Sequence, residues 1–226
     1  MGSLRHRGEG SAAHRLGEID GAVVTRAYET FVVNAKRASY FLDIHEEANS
    51  GPGAPTTPYR ELPRGAVVFI VGALDAYLAE LSAEVIVRDL DRAIADADVR
   101  DLLRRIQADV PTLALEVTLL SSQAERIERL RDIIVDHFHN RVSMHGAKAV
   151  GTAAARLGRR GDDVWSALAS RGWSRPAEAL DRWTDIRHQI VHQGKKPTVR
   201  RPQARECITL IKETVGLIDG FAGGQQ

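Results

Sequence analysis

Through most of the chain apolar residues return every three or four positions, the period of an amphipathic helix, and they never settle into the alternation of a half-buried strand. Over residues 18–48, Ile19, Val23, Ala27, Phe31, Ala35, Ala38, Phe41 and Leu42 keep that spacing until Asn49-Ser50-Gly51-Pro52-Gly53 ends it, which predicts a long first helix. After a loop rich in Pro, Gly and Thr, residues 67–90 are apolar on nearly every side, with Phe69, Ile70, Val71, Leu74, Tyr77, Leu78, Leu81, Val85 and Ile86. A helix of that kind is expected at the centre of a fold, enclosed by others. Short charged helices are expected through residues 88–107. Residues 110–120 are β-branched enough for a short strand, although their surroundings favour a loop or helical turn. Residues 124–137 predict a further helix with Ile127, Leu130, Ile133 and Ile134 inward.

Residues 140–173 predict a loop, a short Ala-rich helix ending at Leu157-Gly158, and a second short helix around 162–170 that Gly172 stops. Pro176 then opens a helix that Gly194 closes, and residues 202–221 form the last one, with Ile208, Ile211, Val215 and Ile218 inward. The expected fold class is all-α: a bundle of four long helices with short accessory helices, forming one domain over residues 18–222 behind a flexible segment 1–17.

Charge and composition narrow the setting. The 31 basic and 30 acidic side chains nearly cancel, so no global field marks out a nucleic-acid or membrane partner, and any anion site has to be local. The single Cys207 allows neither an intramolecular disulfide nor a thiolate zinc site, which favours a reducing compartment, with the cytoplasm as the expected location. No apolar run is expected to span a membrane, and the polar leading segment lacks the apolar stretch of a signal peptide.

One charge breaks the helical pattern. At about 100° per residue Leu180, Trp183, Ile186, Ile190 and Val191 share an apolar arc, and Arg187 falls in its middle. Burying a guanidinium costs several kcal/mol unless it is paired or meets an anion, so the position marks either a seam where something polar arrives or a structural arginine held by a carboxylate. His192 follows five positions later. The spacing alone carries little, since Arg7/His14, Arg131/His137 and Arg182/His188 resemble it and about three such pairs arise by chance in this composition. Context separates Arg187 and His192: an arginine on an apolar arc, and a histidine near a helix end just before Gly194 and the basic residues Lys195, Lys196, Arg200 and Arg201.

Five positions set two side chains about 140° apart on a straight helix. Either the helix frays at Gly194, or a second copy across a two-fold axis completes the site, and the dimer also accounts for a charge on the apolar arc. With Arg187 clamping a phosphate and His192 moving protons, the pair suits RNA cleavage by 2′-hydroxyl attack on the adjacent phosphate. That chemistry needs acid–base help and charge stabilisation, and no metal or other cofactor.

The segment Leu180-Asp181-Arg182-Trp183-Thr184-Asp185-Ile186-Arg187-His188-Gln189-Ile190-Val191-His192-Gln193-Gly194 resembles the Arg-polar-x-x-x-His signature of HEPN domains, with His188 in the polar second position. Two further stretches resemble the RiboL-PSP type of that family: residues 66–78 as the central helix, and Phe138-His139-Asn140 followed by Arg156-Leu157-Gly158 and Trp165. The resemblance covers residues 20–220. It implies a helical bundle, usually dimeric, whose two Arg/His motifs meet in a cleft. It also implies a metal-independent endoribonuclease of toxin–antitoxin, phage-defence or RNA-processing systems, or a module that binds without cutting. Carried over by position, Arg187 and His192 are the active pair and His188 the auxiliary residue, with RNA, a second copy and an antitoxin or defence protein as partners. Members silenced by nucleotidylation carry Tyr two residues after the His; Gly194 stands there in this chain, so that mode of silencing has no support.

Plainer readings run alongside. His192 can be a helix-end histidine favoured by the dipole. His188 and His192 have the spacing of a helical zinc pair, but Gln189 cannot serve as the base of a zinc protease. His137, His139 and His145 lack a convincing carboxylate beyond Asp136 to complete a metal site. Lys195 and Lys196 either hold a phosphate backbone as substrate-binding residues or sit in a solvated loop. Asp75 and Tyr77 either reach the motif or are buried polar groups with partners.

Overall fold

The structure, a computed structural model, describes residues 24–48, 57–142 and 144–224. The expected flexible segment 1–17, the first residues of the expected first helix and the loop after it lie outside the described residues. Those described form eleven helices and no strand: α1 (Arg26–Glu47), α2 (Thr57–Arg60), α3 (Leu62–Arg88), α4 (Leu90–Ala95), α5 (Ala97–Asp109), α6 (Leu113–Leu119), α7 (Gln123–Arg141), α8 (Ala147–Arg156), α9 (Gly161–Ser170), α10 (Pro176–Gln193) and α11 (Arg201–Ala222). The chain is all-α. Five helices are long, with 22 residues in α1, 27 in α3, 19 in α7, 18 in α10 and 22 in α11, where periodicity pointed to four. The segment left open between strand and helical turn is helical, as α6.

Local chemistry sets the helix ends. Pro63 in the first turn of α3 lets the central helix begin before the uniformly apolar run, because a first-turn proline lacks only an N–H that has no helical partner there. Ser122 and Glu125 form a reciprocal capping box that starts α7. Gly194, at φ 59°, closes α10: the Lys195 N–H donates back to the Gln189 carbonyl at 3.0 Å, six residues away, as in a Schellman stop. The helix therefore does not fray before His192. Gly146, at φ 86°, lies where an added Cβ would come 2.9 Å from Asp181 Oδ1, the oxygen that accepts the Ala147 N–H at 2.7 Å and so joins α10 to the start of α8.

Helix α3 is the hub. Helix α1 packs along it, and α11, α7, α10 and α8 take its other sides, leaving Ile70, Leu74, Tyr77 and Leu78 almost fully enclosed. By length and composition Pro58–Arg88 could cross a membrane, contrary to the expectation that no run is long and apolar enough, but most of it is buried within the bundle. Two inward assignments are corrected. Ile127 is 40% exposed, because α7 turns only its Ile133, Ile134 and Phe138 side fully inward. Phe69 is 44% exposed, because it lies where the covering of α3 is incomplete.

Several polar groups around the core have partners, while His45 Nδ1, Arg131 Nε, Trp183 Nε1 and Arg187 Nε are buried without one among the described residues. Thr25 Oγ1 donates to Asp219, which also accepts from the Tyr77 hydroxyl at 3.4 Å. Burial holds the Asp219 carboxyl above the ordinary carboxylate range and the Tyr77 hydroxyl well above its own. Arg156 donates to Ser82 Oγ at 2.7 Å and lies 5.2 Å from the Phe138 ring centroid, so two of the stretches singled out in the sequence meet in space.

Candidate functional site

Arg187 projects from α10 toward α1 and α3, where a cavity of about 330 Å³ is lined by Asn34, Arg37, Val68, Phe69, Gly72, Ala73 and Arg187. Three features make this an anion site in form. Arg187 has no carboxylate partner among the described residues, and its Nε is buried without a hydrogen-bond partner. Such an atom forgoes about 1–3 kcal/mol that an acceptor entering from the cavity would return. Arg37 adds a second guanidinium from α1, likewise without an ion pair among the described residues, and Asn34 lies one helical turn before it. Gly72 keeps the space open: a Cβ there would meet nothing within 4 Å.

Phe69 gives the cavity a different kind of wall. Its ring lies 5.0 Å from that of Phe41, tilted by 35°, and it lines the same cavity as Arg37 and Arg187 while 44% exposed. An exposed aromatic face beside cationic groups is the combination that holds a nucleobase next to its phosphate.

The histidines lie elsewhere on α10. His188 and His192 are exposed, with ring centroids 5.0 Å apart, as an offset of one helical turn requires. Neither lines the Arg187 cavity. Because α10 is regular to its last turn, His192 stays about 140° around the helix from Arg187. One chain alone does not bring Arg187 and His192 to the same atom.

Lys195 and Lys196 are exposed beyond the stop of α10 and do not line this cavity. Lys196 stands closer to Glu61, whose carboxyl lies below the ordinary range, mainly through its hydrogen bond from Arg64 and in smaller part through the Lys196 charge. Arg200 and Arg201, from the same basic stretch, line a second cavity with Glu61. Asp75 and Tyr77 do not reach the motif: Asp75 accepts the Met144 N–H at 2.9 Å and lies 3.6 Å from His145 Nδ1, while Tyr77 faces Asp219. His137 lies 3.5 Å from Asp109, so His137 and His145 each have their own carboxylate rather than sharing a centre.

Sequence reasoning missed Asn34, Arg37 and Phe69. Asn34 and Arg37 flank the apolar stripe of α1, where a polar residue is ordinary, and Phe69 reads as core on an all-apolar helix. Only the packing of α10 against α3 puts them beside Arg187. No protein-family description, curated protein or solved structure matches the chain.

Proposed function

We propose that the chain is a metal-independent endoribonuclease of HEPN type, working as a homodimer in the cytoplasm. Arg187 binds and stabilises the scissile phosphate, with Arg37 and Asn34 beside it and Phe69 against a neighbouring base. His192, contributed from the second copy, moves the protons of 2′-hydroxyl attack, which leaves a 2′,3′-cyclic phosphate, and His188 assists it. Lys195 and Lys196 hold more distant phosphates. The observation that carries this reading is the Arg187 guanidinium: partly buried, unpaired, and opening with Arg37 onto a cavity beside an exposed aromatic ring.

Incubating RNA with wild-type and His192→Ala protein in EDTA tests it. The expected outcome is wild-type cleavage, insensitive to chelation, that falls by about 10²-fold or more in the variant. Equal cleavage by both proteins, or none by either, would remove the assignment. A second reading, phosphate binding without cleavage, is supported by the angular separation of His192 from Arg187 within one chain; saturable RNA binding that yields no product would favour it.

A further inference from the structure

The larger basic cavity, about 830 Å³, has no part in RNA cleavage as described above. It forms where the last turn of α1, the start of α3 and the entry to α11 meet, and five arginines line it: Arg60, Arg64, Arg200, Arg201 and Arg205. Glu61 is the one carboxylate among its lining residues, and it is engaged by Arg64, which also donates to the Pro197 carbonyl at 3.2 Å. Behind the wall Glu46 lies 2.6 Å from Arg201 and 3.9 Å from Arg205. Arg200 has no carboxylate partner among the described residues, and it is also the N-cap of α11, so the positive end of a 22-residue helix adds to the field at that wall. Glu61 and Glu46 answer Arg64, Arg201 and Arg205, and the Arg200 charge is left over.

His45 is an independent sign that the cavity takes a ligand. It is only 9% exposed, it lines the cavity, and its Nδ1 is buried without a hydrogen-bond partner. Buried polar atoms are ordinarily satisfied, and this one belongs to a side chain that borders the cavity. The remaining walls are Pro63, Val199 and Pro202 with Thr198, and no Phe, Tyr or Trp is among the described lining residues. A single-stranded backbone is usually held in a groove with stacking aromatics. A compact anion with many oxygens suits a concave wall of guanidinium forks arriving from several elements.

We propose that this cavity binds a polyphosphate, the di- or triphosphate group of a nucleotide, at a site separate from Arg187. His45 stands eight residues beyond Arg37 on α1, about 12 Å along the helix at 1.5 Å per residue. The two cavities can thus be occupied and tested apart.

Calorimetric titration of the full chain with inorganic tripolyphosphate, followed by ATP and a 5′-triphosphorylated RNA oligonucleotide, tests the site. Tripolyphosphate is expected to bind one to one, with orthophosphate about tenfold weaker or more. Arg200→Ala, which breaks no ion pair, is expected to weaken binding about tenfold, and the double change Arg200→Ala with Arg201→Ala more strongly. His45→Ala is expected to weaken it without lowering helicity, and Arg187→Ala to leave it unchanged. Tight ATP binding assigns a free nucleotide, whereas binding only by the RNA assigns a 5′ end; either supports the site. Absence of saturable binding, equal affinity for orthophosphate, or indifference to Arg200→Ala would overturn it. Because Arg187→Ala is read by RNA cleavage and Arg200→Ala by tripolyphosphate affinity, one assignment can fail while the other stands.

Discussion

Arg187 and Arg201 both border a cavity beside α1 and α3, yet Arg187 stands without a carboxylate while Arg201 lies 2.6 Å from Glu46, which Arg205 approaches as well. The smaller cavity has two guanidiniums, an asparagine and an exposed aromatic ring; the larger has five guanidiniums, one lining carboxylate and no Phe, Tyr or Trp among the described residues. An unpaired charge with a buried nitrogen costs the fold free energy, and its retention is explained most simply by what it does to a ligand. Partnered arginines such as Arg64, Arg201 and Arg205 cost less to keep and can be gathered in number around an unpaired one such as Arg200. Few strong contacts beside a ring suit one phosphate next to a base, and many moderated ones suit a dense anion.

The largest effect expected to sharpen this contrast comes from Arg187→Met. Replacing a partly buried, unpaired guanidinium by an apolar chain of similar length should lower RNA cleavage by about 10²–10³-fold while leaving the thermal midpoint unchanged or higher. Tripolyphosphate affinity should not move. A variant that loses both activities would mean that the cavities act as one site, and a large fall in the midpoint would mean that Arg187 is structural.

Gly72→Leu comes next. The position opens onto empty space, so the side chain should fill the smaller cavity and weaken RNA binding about tenfold, and exchanging a mid-helix glycine should preserve or raise stability by up to about 1 kcal/mol. Unchanged RNA affinity, measured by fluorescence anisotropy, would place the RNA elsewhere. Phe69→Ala should cost about 1–3 kcal/mol in binding of single-stranded RNA by removing a stacking face, and nothing in tripolyphosphate binding. Equal loss of both ligands would break the division of labour between the cavities.

The smallest effect lies away from both cavities and serves as their control. Burial raises the Asp219 carboxyl above its ordinary range, so the folded chain holds that proton more tightly than the unfolded one does. The sign follows: this contribution to stability is complete below the unfolded carboxylate pKa, about 3.9, and is lost as pH rises through the raised folded value. Thermal melts across the acid range should show that slope in wild type and a flatter one in Asp219→Asn, with neither ligand's affinity altered at neutral pH. An identical slope in both proteins would move its origin to another group, such as Glu84, which burial also raises.

How much was legible follows from which signals are local. The apolar period that marks α1, α3, α10 and α11 is written residue by residue, and Pro176, Gly172 and Gly194 punctuate it through backbone geometry that needs no neighbour. Arg187 was legible for the same reason, as a charge on an apolar arc. What could not be read was the company it has. Asn34 and Arg37 look like ordinary flank residues of α1, and Phe69 looks like core, until α10 is laid across α3. Val191, on the same arc, is 47% exposed, since one helix wheel does not say where the neighbouring helix stops covering it. Nothing in the local pattern marked His45 either, because a histidine in a last helical turn is favoured by the dipole whatever surrounds it.

Local pattern alone was enough for the helical class, for the ends of α9, α10 and α11, for the centrality of α3 and for the anomaly of Arg187, all of which depend on residues within a few turns of one another. The tertiary structure decided which cations share a cavity, which carboxylates neutralise them, and that Arg187 and His192 diverge within one chain. Those depend on which helix faces meet, and the meeting is fixed by shape and burial summed over the whole core rather than by any one segment.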